Sequence, residues 1–261
     1  MSDFLGVYGT ALAVIIGLMT LLWLVSLLLK NSSIVDIFWG TGFVVAAWLY
    51  FALTPGGMLP RRLLLLGLVT LWGLRLSIHI LLRNWGKPED FRYAKWRSEA
   101  GAAWTWLSLP RVFWLQGVLL WLISAPLLAA QLGQPPAELG LLDWIGAAVW
   151  LVGFFFEAAG DAQLARFKAN PANRGKVLDS GVWRYTRHPN YFGDSAQWWG
   201  FFLLAAAAGG WWTAFSPLLM TFFLLRVSGV ALLEKSLETR PGYKEYIART
   251  SAFFPWLPRG K

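Results

Sequence analysis

A short stretch of the sequence, SGVWRYTRHPNYFGD (residues 180–194), sets several polar and ionisable side chains among apolar segments. Pro189 suits the first position of a helix, where its missing N–H is not needed for hydrogen bonding, and it places His188 at the helix cap. The free N–H groups of that first turn, with Arg184 and Arg187 beside them, would bind a phosphate group. The stretch therefore predicts a phosphate site at the start of a helix.

The same helix would carry two further polar side chains suited to a ligand. Asn190 and Asp194 are four residues apart, so they share one helical face and could hydrogen-bond an amide or ribose hydroxyls. Taken alone, the sequence RYTR (184–187) would equally suit a basic loop beside the membrane that contacts lipid headgroups. The constellation as a whole favours a binding site over such a loop.

A similar pattern occurs earlier in the chain. Glu157, Asp161 and Lys168 fall within about 40 degrees of one another on a helix that turns 100 degrees per residue. A helix over this segment would present all three to one side, with the carboxylates suited to a ribose and the ammonium group to a phosphate. The alternative is an exposed helix end with ordinary charges.

These polar groups must be positioned by the elements of a very apolar chain. Of its 261 residues, 57% are hydrophobic and 14% are charged, whereas a soluble domain carries roughly 25% charged residues. The mean hydropathy is +0.50. The apolar residues come in runs of about 20, the length that spans a bilayer as a helix, and the 18 tryptophans suit the membrane–water boundary. The composition predicts an integral membrane protein.

The composition also excludes several kinds of site. The chain has no cysteine, so disulfides, thiolate metal sites and cysteine nucleophiles are absent. With only two histidines, His79 and His188, no metal site is expected. The net charge of +9 is explained by basic cytoplasmic loops, and no nucleic-acid partner is expected.

The apolar runs predict seven transmembrane helices with the N-terminus outside. The predicted spans are 4–29, 34–53, 61–82, 112–131, 141–160, 191–208 and 211–233. With this topology, nineteen of the 23 basic residues fall in cytoplasmic segments, and Arg61 and Arg62 are the two in outer segments. Such an asymmetry indicates orientation, because lysine and arginine concentrate in cytoplasmic loops. One all-α membrane domain over 1–261 is expected.

Ionisable residues within the predicted spans indicate a pocket, because such groups usually face a protein interior or a wet cavity. Seven such residues lie in the cytoplasmic half of a span or at its cytoplasmic end: Asp36, Arg75, His79, Glu157, Asp161, Asp194 and Arg226. We expect them to line one pocket that opens to the cytoplasm and holds a cofactor. The alternative is that each pairs with a neighbour and merely joins helices.

Two further segments carry mixed charges and aromatic residues. The C-terminal segment, EKSLETRPGYKEYIARTSAFFPWLP, contains Glu234, Tyr243 and Tyr246. Either a lid over the pocket or an amphipathic helix on the membrane surface would suit it. The segment KPEDFRYAKWR (87–97) is interpreted as a plain solvated basic loop.

The motifs GVWRYTRHPNYFGD and LLEKSLETRPGYKEYIARTSAFFPWLP, with NSSIVDIFWG near the N-terminus, resemble the steroid 5-alpha-reductase family. The closer resemblance is to its bacterial branch, long catalogued as a domain of unknown function. Sterol reductases and isoprenylcysteine carboxyl methyltransferases share parts of the pattern. The resemblance implies a seven-helix membrane reductase that uses NADPH to transfer hydride to the beta carbon of an enone, typically a 3-oxo-4-ene steroid.

In that family an acid on the second span and a tyrosine on the third hold the carbonyl oxygen. Asp36 falls near the acid and Trp72 near the tyrosine, and Tyr191 belongs to the shared motif; the resemblance thus implies these three as catalytic residues. Trp72 departs from the family, because an indole N–H donates a hydrogen bond but gives up no proton. The resemblance and the patterns above predict a cofactor site from these residues: Glu157, Asp161, Lys168, Arg184, Arg187, His188, Asn190, Asp194, Arg226, Glu234, Tyr243 and Tyr246.

The favoured hypothesis is an NADPH-dependent reductase of a lipophilic enone in a bacterial inner membrane. Its substrate would enter from the bilayer, its other contacts would be membrane lipids, and no obligate protein partner is evident. No G-x-G-x-x-G fingerprint follows a strand, so the dinucleotide would be bound without a Rossmann fold. The alternatives are a methyltransferase that uses S-adenosylmethionine on a membrane-embedded substrate, and a non-catalytic transporter or lipid-binding protein.

Overall fold

The computed structural model describes residues 2–133, 138–227, 229–237 and 239–259, and in these ranges the regular elements are helices, with no strand. The α-helices in chain order are α1 (Ser2–Leu29), α2 (Phe38–Leu53), α3 (Leu59–Asn84), α4 (Phe91–Ala100), α5 (Trp104–Ser108), α6 (Leu115–Ile123), α7 (Ala125–Leu132), α8 (Leu141–Ala169), α9 (Pro189–Ala207), α10 (Phe215–Phe222), α11 (Val230–Leu237) and α12 (Tyr243–Arg249). Turns of 3₁₀-helix cover Ser32–Ile37, Gly101–Ala103, Pro171–Asn173, Gly181–Arg184 and Trp211–Ala214, and π-helical turns cover Leu109–Trp114 and Phe223–Val227. The all-α prediction is confirmed for the described residues.

Five helical segments of the described chain are long and apolar enough to cross a membrane: Phe4–Leu29, Ser32–Leu53, Leu59–Asn84, Phe91–Leu132 and Leu141–Ala169. They contain the first five predicted spans completely. Five such helices are typical of a multi-pass membrane protein.

The sixth and seventh predicted spans are not confirmed. The sixth corresponds to α9, a 19-residue helix that carries Asn190, Asp194 and Gln197 in its first half and is too polar to count among the five. The seventh covers a shorter apolar helix, Trp211–Val227, and then α11, with residue 228 outside the described residues. Both segments were predicted as spans because each is rich in apolar residues over about the length of a membrane-spanning helix.

The chain divides into two compact units. The first contains 1–140 and 204–213, and the second contains 141–203 and 214–261. Asp36 and Trp72 belong to the first unit, while Tyr191 and all the predicted cofactor residues belong to the second.

Close approach of two backbones organises the first unit. A Cβ atom added at Gly40 of α2 would overlap the carbonyl oxygen of Gly73 in α3, and one added at Gly73 would overlap that of Gly40. Glycine at both positions therefore lets the two helices pack closely, as small residues do between membrane helices. Ser77 Oγ strengthens the contact, because it bonds both the backbone N (2.9 Å) and Oγ1 (2.8 Å) of Thr41.

In the second unit, α8 and α9 also approach each other closely at glycine residues. A Cβ at Gly153 would overlap the backbone of α9, and a Cβ at Gly193 would overlap the backbone of α8. α9 begins at Pro189, as its sequence predicts. Ser195 of α9 hydrogen-bonds Thr221 of α10 at 2.8 Å. The close packing brings the polar faces of α8 and α9 together.

Candidate functional site

In the second unit, carboxylates of α8 meet amides of α9. Asp161 Oδ1 accepts a hydrogen bond from Asn190 Nδ2 at 3.1 Å, and Glu157 Oε2 accepts one from Gln197 Nε2 at 2.5 Å. Both carboxylate side chains are buried. The helical periodicity predicted that Glu157 and Asp161 share a face, and the structure adds that this face packs against α9. Gln197, which was not among the predicted site residues, lies seven residues after Asn190 and so on the same side of its helix.

A second cluster surrounds the guanidinium group of Arg187. Its Nε donates to Glu234 Oε1 at 2.7 Å, and its Nη2 lies 2.6 Å from the same oxygen. Its Nη1 donates to the carbonyl oxygens of Thr250 (2.5 Å) and Ile247 (3.3 Å). The side chain is 8% exposed. Arg187 therefore ties the start of α9 to α11, α12 and the residues after α12, in addition to any role it has towards a ligand.

His188 joins this cluster from the cap position that the sequence predicts. Its Nε2 lies 3.3 Å from Glu234 Oε1, its ring stacks on Tyr191 with centroids 5.7 Å apart, and its backbone N donates to Thr186 Oγ1. Hydrogen bonds from His188 and from Arg187 hold the pKa of Glu234 below its usual range, against the opposing effect of partial burial. The lowered pKa means that the ionised carboxylate stabilises the fold.

This linkage predicts a pH dependence of stability. The contribution of Glu234 is fully present above its unfolded pKa, about 4.3, and is lost as the pH falls through the lower folded value. We expect the difference in melting temperature between the wild-type protein and Glu234→Gln to be largest near neutral pH and to shrink below about pH 4. Thermal unfolding of both proteins in the same detergent, followed from pH 7 to pH 3, measures it. A constant difference across that range would contradict the assigned ion pair.

The remaining cofactor candidates of the second unit are placed as follows. Lys168 is exposed in the last turn of α8 and Arg226 lies in the π-helical turn after α10. Asp194 is partly buried one turn after Asn190. Arg184 lines a cavity of about 480 Å³ at the surface.

Two tyrosines of the C-terminal segment pack inside the unit. Tyr243 and Tyr246 are buried on α12 with ring centroids 5.9 Å apart. The hydroxyl of Tyr246 donates to the carbonyl oxygen of Trp183, and burial raises the pKa of this phenol above its usual value. The hydroxyl is therefore protonated at neutral pH and joins α12 to the turn before α9.

The first unit brings polar side chains to Asp36. Tyr93 Oη donates to Asp36 Oδ1 at 2.7 Å, and Arg92 Nη2 lies 3.3 Å from Asp36 Oδ2. Gln116 Nε2 donates to Tyr93 Oη at 3.0 Å, and Gln116 Oε1 accepts from Trp39 Nε1 at 2.6 Å. A carboxylate, a phenol and a guanidinium group thus meet at the start of the second apolar segment.

This cluster corrects the interpretation of 87–97 as a plain solvated loop. Residues from Phe91 form α4, whose first turn is capped by Asp90, and Tyr93 is only 4% exposed. Glu89 holds the helix in place, because its Oε1 accepts from the backbone N of Ser32 at 2.5 Å. Tyr93 is the buried residue of this segment. It was not predicted as a site residue because many of its neighbours in the sequence are charged, which is typical of an exposed loop. Spacing predicts no contact with a residue 57 positions away.

Trp72, the predicted partner of Asp36, is buried in α3 with its ring 5.7 Å from that of Phe43. Its catalytic role stays a prediction, as does that of Tyr191. Among the described residues, no group of three or more histidine, cysteine, aspartate or glutamate side chains is arranged to hold a metal ion.

Comparison with known proteins gives a family and one relative. Residues 22–250 match the sequence model of a family described as a protein of unknown function, DUF1295. The uncharacterized protein C594.04c of Schizosaccharomyces pombe is 29% identical over 284 residues, which cover 96% of this chain and 80% of the relative. No solved structure matches the chain significantly.

Proposed function

The chain belongs to the DUF1295 family of proteins of unknown function, and we propose that it is an NADPH-dependent membrane reductase. It transfers hydride to the carbon–carbon double bond of a lipophilic enone, a 3-oxo-4-ene steroid or a similar lipid. The proposal rests on the resemblance of the motifs at 180–194 and 232–258 to the steroid 5-alpha-reductases, together with the placement of the polar side chains.

The contact between Asp36 and Tyr93 is the observation that carries the proposal. Addition of hydride to the beta carbon of an enone moves the electron pair of the double bond towards the carbonyl oxygen, which becomes negative. A hydrogen-bond donor held at that oxygen lowers the barrier. The phenol of Tyr93, fixed by Asp36 at 2.7 Å and by Gln116 at 3.0 Å, is such a donor. A proton added at the alpha carbon then completes the saturated ketone.

The second unit has the side chains that a dinucleotide phosphate requires. Lys168 and Arg184 are exposed cations, and guanidinium groups suit phosphate oxygens through paired hydrogen bonds. Asp161 and Asn190 form a partly buried pair that offers both acceptors and donors to ribose hydroxyls. Bound NADPH would supply the hydride, and these residues would bind and orient it. The donor set therefore fits the cofactor.

The proposed setting is a bacterial inner membrane with the N-terminus outside. The excess of lysine and arginine in 83–111, 161–190 and 234–261 supports this orientation. The basic side of the protein then faces the cytoplasm, where NADPH is available. A lipophilic substrate would enter from the bilayer.

Binding of NADPH tests the cofactor assignment. In Asn190→Ala one hydrogen bond to Asp161 is lost, together with a donor to the cofactor, so we expect roughly tenfold weaker NADPH binding. Quenching of tryptophan fluorescence by NADPH in the purified protein measures the affinity. Asn170→Ala, which removes an exposed asparagine that caps only a short turn of the same unit, is the control and should bind as the wild type does.

Two outcomes would contradict the proposal. Equal NADPH affinity of Asn190→Ala and the wild type would remove the start of α9 from the cofactor site. Transfer of a tritiated methyl group from S-adenosylmethionine, with no affinity for NADPH, would replace the reductase by the methyltransferase.

A further inference from the structure

The residues after α12 form an ordered tail segment (250–259) that is not helical. Three backbone hydrogen bonds of 2.9 Å hold it: Arg187 N donates to Ser251 O, Trp256 N to Tyr185 O, and Arg259 N to Arg249 O. The Oγ1 of Thr186 also donates to Phe253 O at 2.8 Å. The backbone of the tail segment is thus fixed along the loop before α9.

Several of these side chains are apolar and exposed. Phe254 is 69% exposed, and Trp256 and Leu257 are each 74% exposed. Large apolar side chains grouped on a fixed backbone indicate a surface that meets something apolar. Tryptophan and phenylalanine beside basic residues are typical of segments that lie in the membrane interface.

Arginines border the same surface. One cavity, of about 480 Å³, is lined by Arg184, Arg249 and Arg259. A second, of about 320 Å³, is lined by Arg249 and Arg259 together with Trp256 and Leu257. Arg187 also lines the second cavity. Arginines and apolar side chains therefore border one concave surface, which suits a ligand with an anionic group joined to an apolar one.

Asp179 is the acidic residue that lines the first cavity. It accepts a hydrogen bond from Arg249 Nη2 at 2.8 Å, and both side chains are more than a third exposed. Exposed ion pairs of this kind contribute little stability. The pair therefore leaves Arg249 able to bind a stronger anion such as a phosphate.

The position of the tail segment along α8 places it near the membrane boundary. Gln163 Oε1 accepts from Val182 N at 3.0 Å and Gly160 O accepts from Trp183 Nε1 at 3.1 Å, so the loop before α9 lies against this part of α8. Gln163 is about 33 Å from the start of α8 at 1.5 Å per residue. The hydrocarbon core of a bilayer is about 30 Å thick. Gln163 therefore lies slightly more than one core thickness from the start of α8, at the depth expected for the membrane boundary.

A row of phenylalanines agrees with this depth. The ring centroid of Phe192 on α9 lies 5.2 Å from that of Phe156 on α8, 6.0 Å from that of Phe253 and 6.2 Å from that of Phe254. Phe155, next to Phe156, is exposed on the apolar helix α8. The aromatic contacts thus extend from a membrane-spanning helix to the tail segment.

We propose that the tail segment lies in the membrane interface and that Arg249 and Arg259 bind the phosphate of an anionic phospholipid. Phe254, Trp256 and Leu257 contact its apolar part. The exposed apolar side chains favour a lipid over a soluble phosphate compound, which would leave them in water. The inference goes beyond the reductase activity and does not depend on it.

Lipid binding by the full-length protein in neutral detergent tests this site. Native mass spectrometry with added phosphatidylglycerol gives the apparent affinity, and phosphatidylcholine is the neutral comparison. We expect Arg249→Gln and Arg259→Gln each to weaken phosphatidylglycerol binding about fivefold and to weaken phosphatidylcholine binding less, because the choline cation offsets the charge of that lipid's phosphate. Replacing Trp256 and Leu257 by Ala should weaken binding of both lipids.

Arg174→Gln is the matched control, because Arg174 is an exposed arginine of the same unit that lines neither cavity. It should bind phosphatidylglycerol as the wild type does, and melting temperatures should verify that every variant is folded. Equal affinity of the wild type and Arg249→Gln/Arg259→Gln for phosphatidylglycerol would overturn the proposal. Displacement of the lipid by NADPH or by inorganic phosphate would also overturn it, because the site would then belong to a soluble anion.

Discussion

Replacing Asp36 by Asn is expected to lower kcat for enone reduction by about 10²- to 10³-fold, the effect of losing one group that stabilises a developing oxyanion. The carboxylate accepts the hydrogen bond of Tyr93 and pairs with Arg92, so the amide would leave the phenol poorly oriented and less polarised. NADPH affinity should not change, because Asp36 is not among the predicted cofactor residues. Consumption of NADPH with a panel of enones, steroids included, measures the turnover.

Asp90→Asn is the matched control for this substitution. Asp90 pairs with the same arginine at 2.9 Å and caps α4, and asparagine caps a helix as well as aspartate does. The control removes the same charge near Arg92 but keeps Asp36 and Tyr93 in contact, so its turnover should stay close to that of the wild type.

Tyr93→Phe should show a loss of turnover similar to that of Asp36→Asn, because it removes the donor itself. Wild-type turnover in Asp36→Asn would exclude Asp36 from the mechanism. Loss in Asp36→Asn with full activity in Tyr93→Phe would leave Trp72 as the predicted carbonyl partner.

Replacing Arg187 by Ala is expected to destabilise the second unit by about 3 kcal/mol, since removing one partner of a buried ion pair leaves the other uncompensated. Glu234 would lose its main cation, and the carbonyl oxygens of Thr250 and Ile247 would lose a donor. The melting temperature in detergent should fall by roughly 5–10 °C. Arg187→Lys should recover only part of the loss, because an ammonium group lacks the planar fork of guanidinium.

This experiment separates two roles of Arg187. The sequence motif predicts that Arg187 binds a phosphate group of the cofactor. The contacts in the structure indicate that Arg187 holds the C-terminal segment to α9. A normal melting temperature combined with lost NADPH affinity would show that the ligand role is the whole role. Arg174→Ala, an exposed arginine of the same unit, should change neither quantity.

Some patterns that are local in the sequence were interpreted correctly. The carboxylates of Glu157 and Asp161 share one face of α8 because a helix returns to the same side every three to four residues. α9 begins at Pro189 because proline suits a first helical turn. Five apolar helices follow from runs long enough to span a bilayer.

Contacts between distant residues were decided only by the tertiary structure. Tyr93 reaches Asp36 because Glu89 and the cap at Asp90 set the position of α4, and the segment's charges suggest only a solvated loop. Arg187 is enclosed because the chain beyond α12 returns to it. A basic motif by itself does not distinguish an arginine that binds a ligand from one that joins segments of the chain. Periodicity and hydropathy report the neighbours of a residue along one helix, so they determined which side chains share a face. Which faces meet depends on how the helices pack, and that information is distributed over the whole chain.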